Sequence, residues 1–308
     1  MIESFYCVIL AGGLSKRMNS RISKVLHKIS GKTMVEWAVD VVTPLNPRKI
    51  FVVGNKDNAE LLREALRAYE NVEVVVQEFP KGTGDAVKTV KDFVEPESLL
   101  YVAPGDAPLI RTETIKRMLE KIKSENRNAV ILSAEIPDPS GYGRIIRDGN
   151  VVRIVEHKDA TEEERRIKEV NGGFYIFRSK FLFEALSYID ANNSQGEYYL
   201  TDVFKFMENV EVLKVEDWRE ILGVNTREQL AEVERVMQEK IKKRHMENGV
   251  TFIMPDSVYV EYSVRIGEDT TIYPFVVLLG NTKIGKNCTI GPFKILKDVE
   301  VEDGTVLS

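Results

Sequence analysis

The chain has 308 residues, 43% of them hydrophobic and 30% charged, with a formal net charge of -5; that suits one large globular domain plus a smaller one, or two medium ones. No apolar run approaches the ~20 residues of a membrane helix, the acidic balance offers nucleic acid no general attraction, and neither membrane nor nucleic acid is an expected partner. Two distant cysteines, Cys7 and Cys288, and the scattered His27, His157 and His245 give no disulfide or zinc spacing; with no basic run before the first apolar stretch, a signal peptide is not expected and the cytosol is the expected compartment.

In chain order, strands are predicted at Phe5 to Leu10, Ile50 to Gly54, Val72 to Gln77 and Leu99 to Ala103, where apolar residues run together. Helices are predicted between them at Met34 to Val42, Ala59 to Ala68 and Asp85 to Phe93, which carry apolar residues at helical spacing. This alternation predicts an α/β fold, a Rossmann-like and mostly parallel sheet flanked by helices. From Ala129 to Phe177 the runs shorten, and turn signals at Pro137 to Gly143 and at Asp148-Gly149 favour hairpins, so the sheet is expected to be mixed there.

Thr226 to Lys243 reads as a charged helix, with Thr226 as N-cap, Leu230, Val233, Val236 and Met237 as its apolar stripe, and Gly249 as its stop. Beyond it Val260, Ile266, Ile272, Leu278, Ile284, Ile290 and Leu296 recur every six residues. One inward aliphatic in six is the signature of a parallel β-helix, in which neighbouring coils bury one another; the alternating strands of a sandwich do not require it. Burying these side chains contributes on the order of 10 to 20 kcal/mol before ordering entropy is counted. Val299 and Val301 depart from the six-residue phase, which is expected to falter after Leu296. The expected domains are 1–227, a linking helix 228–248, and a short β-helix 249–308.

The first strand runs into Ala11-Gly12-Gly13-Leu14-Ser15-Lys16-Arg17-Met18, with Lys24 beyond. A glycine turn at the carboxyl end of a strand lets backbone N–H groups approach phosphate oxygens, and Arg and Lys neutralise their charge. Neither a Walker loop nor a dinucleotide fingerprint is present. On spacing alone, a structural turn with solvated basic residues is a nearly equal reading. Asp106, after the strand at Leu99, is expected at the ligand-binding edge of the sheet, or else as a helix cap.

Leu10-Ala11-Gly12-Gly13, Arg17-Met18 and Lys24-Val25-Leu26 resemble the opening motif of sugar-nucleotide pyrophosphorylases, and in particular the uridyltransferase half of the bifunctional N-acetylglucosamine-1-phosphate enzyme of bacteria. In the same order follow Gln77 with Gly82-Thr83-Gly84, Gly105-Asp106, Gly141-Tyr142-Gly143-Arg144, Val155 to Ala160, Asn171, Gly196 to Asp202, and Gly223-Val224-Asn225, then the six-residue repeat. The resemblance implies that Leu10, Ala11, Gly12 and Gly13 line the nucleotide, that Gln77 and Gly82 read uracil with support from Thr83, and that Arg17 and Lys24 are the catalytic cations on the phosphates. It further implies that Asp106 and Asn225 hold Mg2+ and that Gly143, Glu156, Asn171, Thr201 and, more weakly, Tyr199 bind the sugar. Without the resemblance, Glu156 reads as a surface carboxylate, Asn171 as a turn amide and the tyrosines as core; His157 is given no role. UTP and a sugar 1-phosphate are the implied substrates. A left-handed hand for the β-helix and a homotrimer built through it are also implied, with a monomer capped by its last segment as the alternative. Acetyl transfer is not expected, because the family's residues for it follow the matched region.

Ser15-Lys16 stand where the family has Gly-Thr, Ser23 where it has Pro, and Asp85 where it has His. These departures leave room for a pyrophosphorylase of another sugar or base, or a weakly active sugar-nucleotide-binding subunit.

Overall fold

The computed structural model describes residues 4–13, 16–149 and 151–308. The chain divides into two compact units, Met1–His27 with Met34–Asn225, and Lys28–Thr33 with Thr226–Ser308.

In the first unit nine strands form one sheet among the described residues: β1 (Phe5–Leu10), β2 (Lys49–Asn55), β3 (Val72–Gln77), β4 (Leu99–Pro104), β5 (Ala129–Glu135), β6 (Arg144–Asp148), β7 (Val151–Val155), β8 (Glu169–Arg178) and β9 (Val210–Lys214). The order is β9-β5-β8-β4-β1-β2-β3, with the β6–β7 hairpin attached to β8. Strands β4, β1, β2 and β3 are parallel, while β8 runs antiparallel to β4 and β5, so the sheet is mixed where the shorter runs predicted it. Successive residues of β1 enter opposite cores, Cys7 and Ile9 on one face and Tyr6 and Val8 on the other. Both faces are therefore covered, which is why β1 is apolar throughout instead of alternating. Helices α1 (Met34–Val42) and α4 (Thr112–Ser124) cover one face, and α3 (Thr83–Lys88) the other.

Two predicted helices are shorter than expected. The second, α2 (Ala59–Ala65), stops short of Ala68, and the segment expected to be helical to Phe93 is α3 followed by a separate 3-10 turn, Lys91–Phe93. The register places Leu10, Asn55, Gln77 and Pro104 at one edge, the carboxyl ends of the parallel strands. Strand β8 enters from that same edge, and its register shifts between Asn171 and Tyr175, a bulge at Gly172-Gly173 that re-aims Asn171.

The second unit contains the hairpin Lys28–Ile29/Lys32–Thr33, a long helix Arg227–Glu247 and a parallel β-helix. The helix was expected only as a linker, yet it packs within this unit. Thr226 caps it, accepting from the Gln229 N–H at 3.2 Å. The coils form three sheets, one column joining Phe252, Ile272, Ile290 and Leu307. The expected faltering after Leu296 does not end the stack. The step from Ile284 to Val301 is one residue shorter than that from Ile266 to Ile284, yet Val301 pairs with Ile284. The shorter turn absorbs the missing residue.

Candidate active site

Strand β1 releases the chain into the glycine loop at its carboxyl end. The Ala11 N–H still donates to the Val53 carbonyl at 2.8 Å, and beyond it two asparagines hold the loop. Asn55 Nδ2 donates to the Gly12 carbonyl at 2.9 Å and Asn58 Nδ2 to the Ala11 carbonyl at 2.8 Å. Each orients the other, Asn58 Oδ1 accepting from the Asn55 N–H and Asn55 Oδ1 from the Asn58 N–H. Asn58 also donates to Ser23 Oγ at 3.0 Å, so the serine that replaces the family's proline contributes to the same network. Asn55 and Asn58 were not singled out in the sequence; two amides at the end of a buried strand, three apart, were the available signal. Leu14 and Ser15 lie outside the described residues, as does the side chain of Lys16.

Lys24, Asp106 and Asn225 meet at one point. The Lys24 ammonium forms an ion pair with Asp106 and donates to Asn225 Oδ1 at 2.9 Å, and Arg17 Nη2 reaches the same oxygen at 3.0 Å. The Asp106 carbonyl accepts from the Val224 N–H at 2.9 Å, which ties the 223–225 segment to the end of β4. Helix α4 begins at Thr112 with Arg111 at its N-cap position, so Asp106 is not a helix cap. Two oxygen donors gathered around an ammonium mark a place where a cation is stabilised. Among the described residues no three His, Cys, Asp or Glu side chains gather as a metal cage. One carboxylate and one amide oxygen nonetheless suit a small divalent ion that takes its remaining ligands from substrate phosphates and water.

Gln77 is buried at the end of β3, and its Nε2 donates to Asp85 Oδ2 at 2.7 Å and to the Gly82 carbonyl at 3.2 Å. Gly82 has φ +117°, and a Cβ there would lie 2.5 Å from the Tyr198 carbonyl oxygen, so only glycine fits. Thr83 Oγ1 accepts from the Leu200 N–H at 3.0 Å, and the Gly84 N–H donates to the Tyr198 carbonyl at 2.8 Å. This turn is therefore laced to the 198–200 segment.

That segment leads to a second cluster. Thr201 Oγ1 donates to Glu156 Oε1 at 2.9 Å. A Cβ on Gly143 would lie 3.5 Å from Glu156 Oε2 and 3.6 Å from Asn171 Cβ, so Gly143, Glu156, Asn171 and Thr201 come together across β6, β7 and β8. The Asn171 amide donates to the Tyr175 hydroxyl at 2.6 Å, and the Gly143 carbonyl accepts the Asn171 N–H at 2.9 Å. Burial raises the Glu156 carboxyl above its ordinary range; the Thr201 bond opposes this, and the charges of Asp202 and Asp159 add to it. Tyr199 is buried with its hydroxyl accepting from Gln195 Nε2 at 2.7 Å. Every expected site residue lies in the first unit.

A glycine loop after the first strand, and Lys24 and Asn225 gathered on Asp106 after the fourth, on a doubly covered mixed sheet, define a nucleotidyltransferase. The MobA-like NTP transferase domain matches residues 7–190, and the bacterial transferase hexapeptide repeat matches residues 263–298. The bifunctional protein GlmU of Caldanaerobacter subterraneus subsp. tengcongensis is 44% identical over 98% of this chain and 67% of its own length. That of Lactobacillus helveticus is 43% identical over the same shares, and that of Thermotoga petrophila 43% over 96% and 65%. The chain belongs to the GlmU family, and it spans about two thirds of the length of these relatives. Its coils are those of a left-handed β-helix of hexapeptide repeats. A crystal structure from Bacillus anthracis, assigned as a glucose-1-phosphate thymidylyltransferase, shares the fold with a TM-score of 0.65 over 76% of this chain and 95% of its own, at 19% identity.

Proposed function

We propose that the chain transfers a uridylyl group from UTP to N-acetylglucosamine 1-phosphate, giving UDP-N-acetylglucosamine and pyrophosphate. The observation that carries this reading is the meeting of Lys24, Asp106 and Asn225 beside the asparagine-held glycine loop. A phosphate oxygen of the sugar phosphate attacks the α-phosphorus of UTP, the bond to the bridging oxygen breaks, and its electron pair leaves with pyrophosphate. No general base is required, since a phosphate monoester has its second pKa near 6 and is largely dianionic at pH 7. What the protein supplies is position and charge. Arg17 and Lys24 face the phosphates, the loop amides approach them, and Gln77 with the Gly82 N–H reads the uracil edge. Glu156, Asn171 and Thr201, with Gly143 leaving room, take the sugar's hydroxyl and acetamido groups, and Tyr199 borders them. Asp106 and Asn225 would hold Mg2+, which when bound neutralises charge developing on the α-phosphate.

The cytosol is the proposed compartment: both substrates are phosphorylated metabolites, and the free, buried Cys7 and Cys288 suit a reducing environment. The proposed assembly is a homotrimer through the β-helix, whose exposed Phe275 and Phe293 stack with ring centroids 5.1 Å apart and offer apolar surface to a second copy.

Pyrophosphate release from a panel of nucleoside triphosphates and sugar 1-phosphates tests the reaction. UTP with N-acetylglucosamine 1-phosphate is expected to turn over fastest, and Asp106→Ala to lose at least ~10²-fold in kcat, equal to roughly 2.7 kcal/mol. A folded Asp106→Ala protein with wild-type turnover, or a faster pair of substrates, would overturn the assignment.

A further inference from the structure

The two ends of a glutamine amide have nearly the same shape and opposite hydrogen-bonding sense, so a glutamine that reads a base is informative only if something decides which end faces it. For Gln77 the neighbours decide. One end of the amide meets Asp85 Oδ2 at 2.7 Å and the Gly82 carbonyl at 3.2 Å. A carboxylate and a carbonyl only accept, so the NH2 must be the end that faces them. The other end lies toward the glycine loop, where Oε1 would be 3.6 Å from a Cβ built on Gly12. Turning the amide over would set Oε1 against a carboxylate oxygen and a carbonyl oxygen, and would take the donor away from two half-buried acceptors. The Gln77 side chain itself is buried at 4% exposure, so a turned amide gains no water to replace the bonds its NH2 would lose.

We propose that Asp85 is a positioning residue for base selection: it locks the Gln77 amide with its carbonyl oxygen toward the nucleotide, and so admits bases with an imide N–H and rejects those with a bare ring nitrogen. This rests on the reading of Gln77 as the base-facing residue. Uracil N3 carries a hydrogen and donates to the outward oxygen, whereas cytosine N3 carries a lone pair and opposes it. Thymine has the same imide as uracil, so the lock does not separate those two, and any rejection of the 5-methyl group lies elsewhere. Asp85 touches neither substrate nor reacting atoms in this scheme. Its effect passes through one side chain.

The kcat/KM ratio for UTP over CTP is to be measured in the full chain and in Asp85→Ala, Asp85→Asn and Gln77→Ala. The expected result is a ratio about tenfold or more below wild type in Asp85→Ala, carried mainly by KM, with kcat at saturating UTP of the same order as wild type. Asp85→Asn keeps an acceptor oxygen beside the Gln77 NH2 and is expected to restore much of the ratio; it also serves if the alanine variant does not fold. Damage to the fold alone would lower both nucleotides together and leave the ratio unmoved. A wild-type ratio in Asp85→Ala together with a collapsed ratio in Gln77→Ala would overturn the role of Asp85 and leave the reading of Gln77 standing. A wild-type ratio in Gln77→Ala would overturn both.

Discussion

Glu156 holds its carboxyl where a charge is disfavoured. Burial raises its pKa, the Asp202 and Asp159 carboxylates raise it further, and only the Thr201 hydroxyl works the other way. In the window between the ordinary carboxylate range and this raised value, the folded chain keeps a proton that the unfolded chain has lost. Stability therefore falls as pH rises through that window and stays lower at neutral pH. Such a cost is expected of a group kept for ligand recognition and not for the fold. Glu156→Gln retains an oxygen for Thr201 and removes the charge, so thermal denaturation at pH 7 should show it more stable by on the order of 1 kcal/mol, with no advantage at acidic pH below the ordinary carboxylate range. The same variant should bind N-acetylglucosamine 1-phosphate about tenfold more weakly, read as KM. Glu156, Asn171 and Thr201 were legible as a group only through the order of the motifs around them, since each alone reads as an ordinary polar residue. Asn55 and Asn58 were not legible because their task is to hold the backbone of a loop more than forty positions earlier. Asp85 was legible only as a departure from the family. Its contact with Gln77 depends on the turn at Gly82, and no periodicity reports that.

At the scale of elements, the long helix of the second unit shows how a pattern can be read correctly and still be half understood. Its apolar stripe is present, with Val233, Val236 and Met237 buried. The polar residues Glu234, Gln238 and Lys242, four apart and so on one face, do as much to attach it. Glu234 accepts from the Ser30 N–H at 2.9 Å and its hydroxyl at 2.6 Å, and Lys242 donates to the Pro255 carbonyl at 2.6 Å and the Val258 carbonyl at 3.1 Å. Gln238 donates to the Val260 carbonyl at 2.8 Å while accepting the Val260 N–H at 3.0 Å, so its amide pairs with the first coil as another strand would. An open coil end leaves such groups unpaired, and a side-chain amide on a helix satisfies them. Gln238→Leu has the volume but neither bond; it should destabilise the second unit by about 2 to 3 kcal/mol, seen as a lower midpoint in urea by far-UV circular dichroism. A wild-type midpoint would mean that water replaces the amide. The strands of the sheet and the six-residue repeat were legible because burial on both faces and stacking of coils each impose a period. The continuation at Val301 was not, because a turn can lose one residue without changing what the next strand pairs with.

At the scale of the whole molecule, the two units differ in what acid does to them. His245 stands in the last turn of the long helix, where the helix dipole ordinarily favours a protonated imidazole by a fraction of a kcal/mol up to ~2 kcal/mol. Here burial outweighs it. His245 is 4% exposed, its Nε2 has no hydrogen-bond partner among the described residues, and desolvation, followed by the charges of Arg244 and Arg265, pushes its pKa down to about 4. Arg244, Arg265, Lys286 and Asp303 line the same cavity of about 550 Å3, three cations against one carboxylate, so the surroundings do not invite a further positive charge. The unfolded chain takes up a proton near pH 6.5, while the folded one resists until about 4. The second unit therefore keeps its full stability above pH 6.5 and loses it progressively as pH falls toward 4, by an amount on the order of 3 kcal/mol in total. Both tryptophans, Trp37 and Trp218, belong to the first unit, so their fluorescence follows that unit alone, whereas circular dichroism also follows the long helix. Urea unfolding at pH 7.5 and at pH 5 should show the dichroism midpoint falling further than the fluorescence midpoint in the wild type. In His245→Leu, which has no proton to take up, the excess shift should disappear. Parallel shifts of the two probes in both proteins would assign the acid sensitivity to other groups.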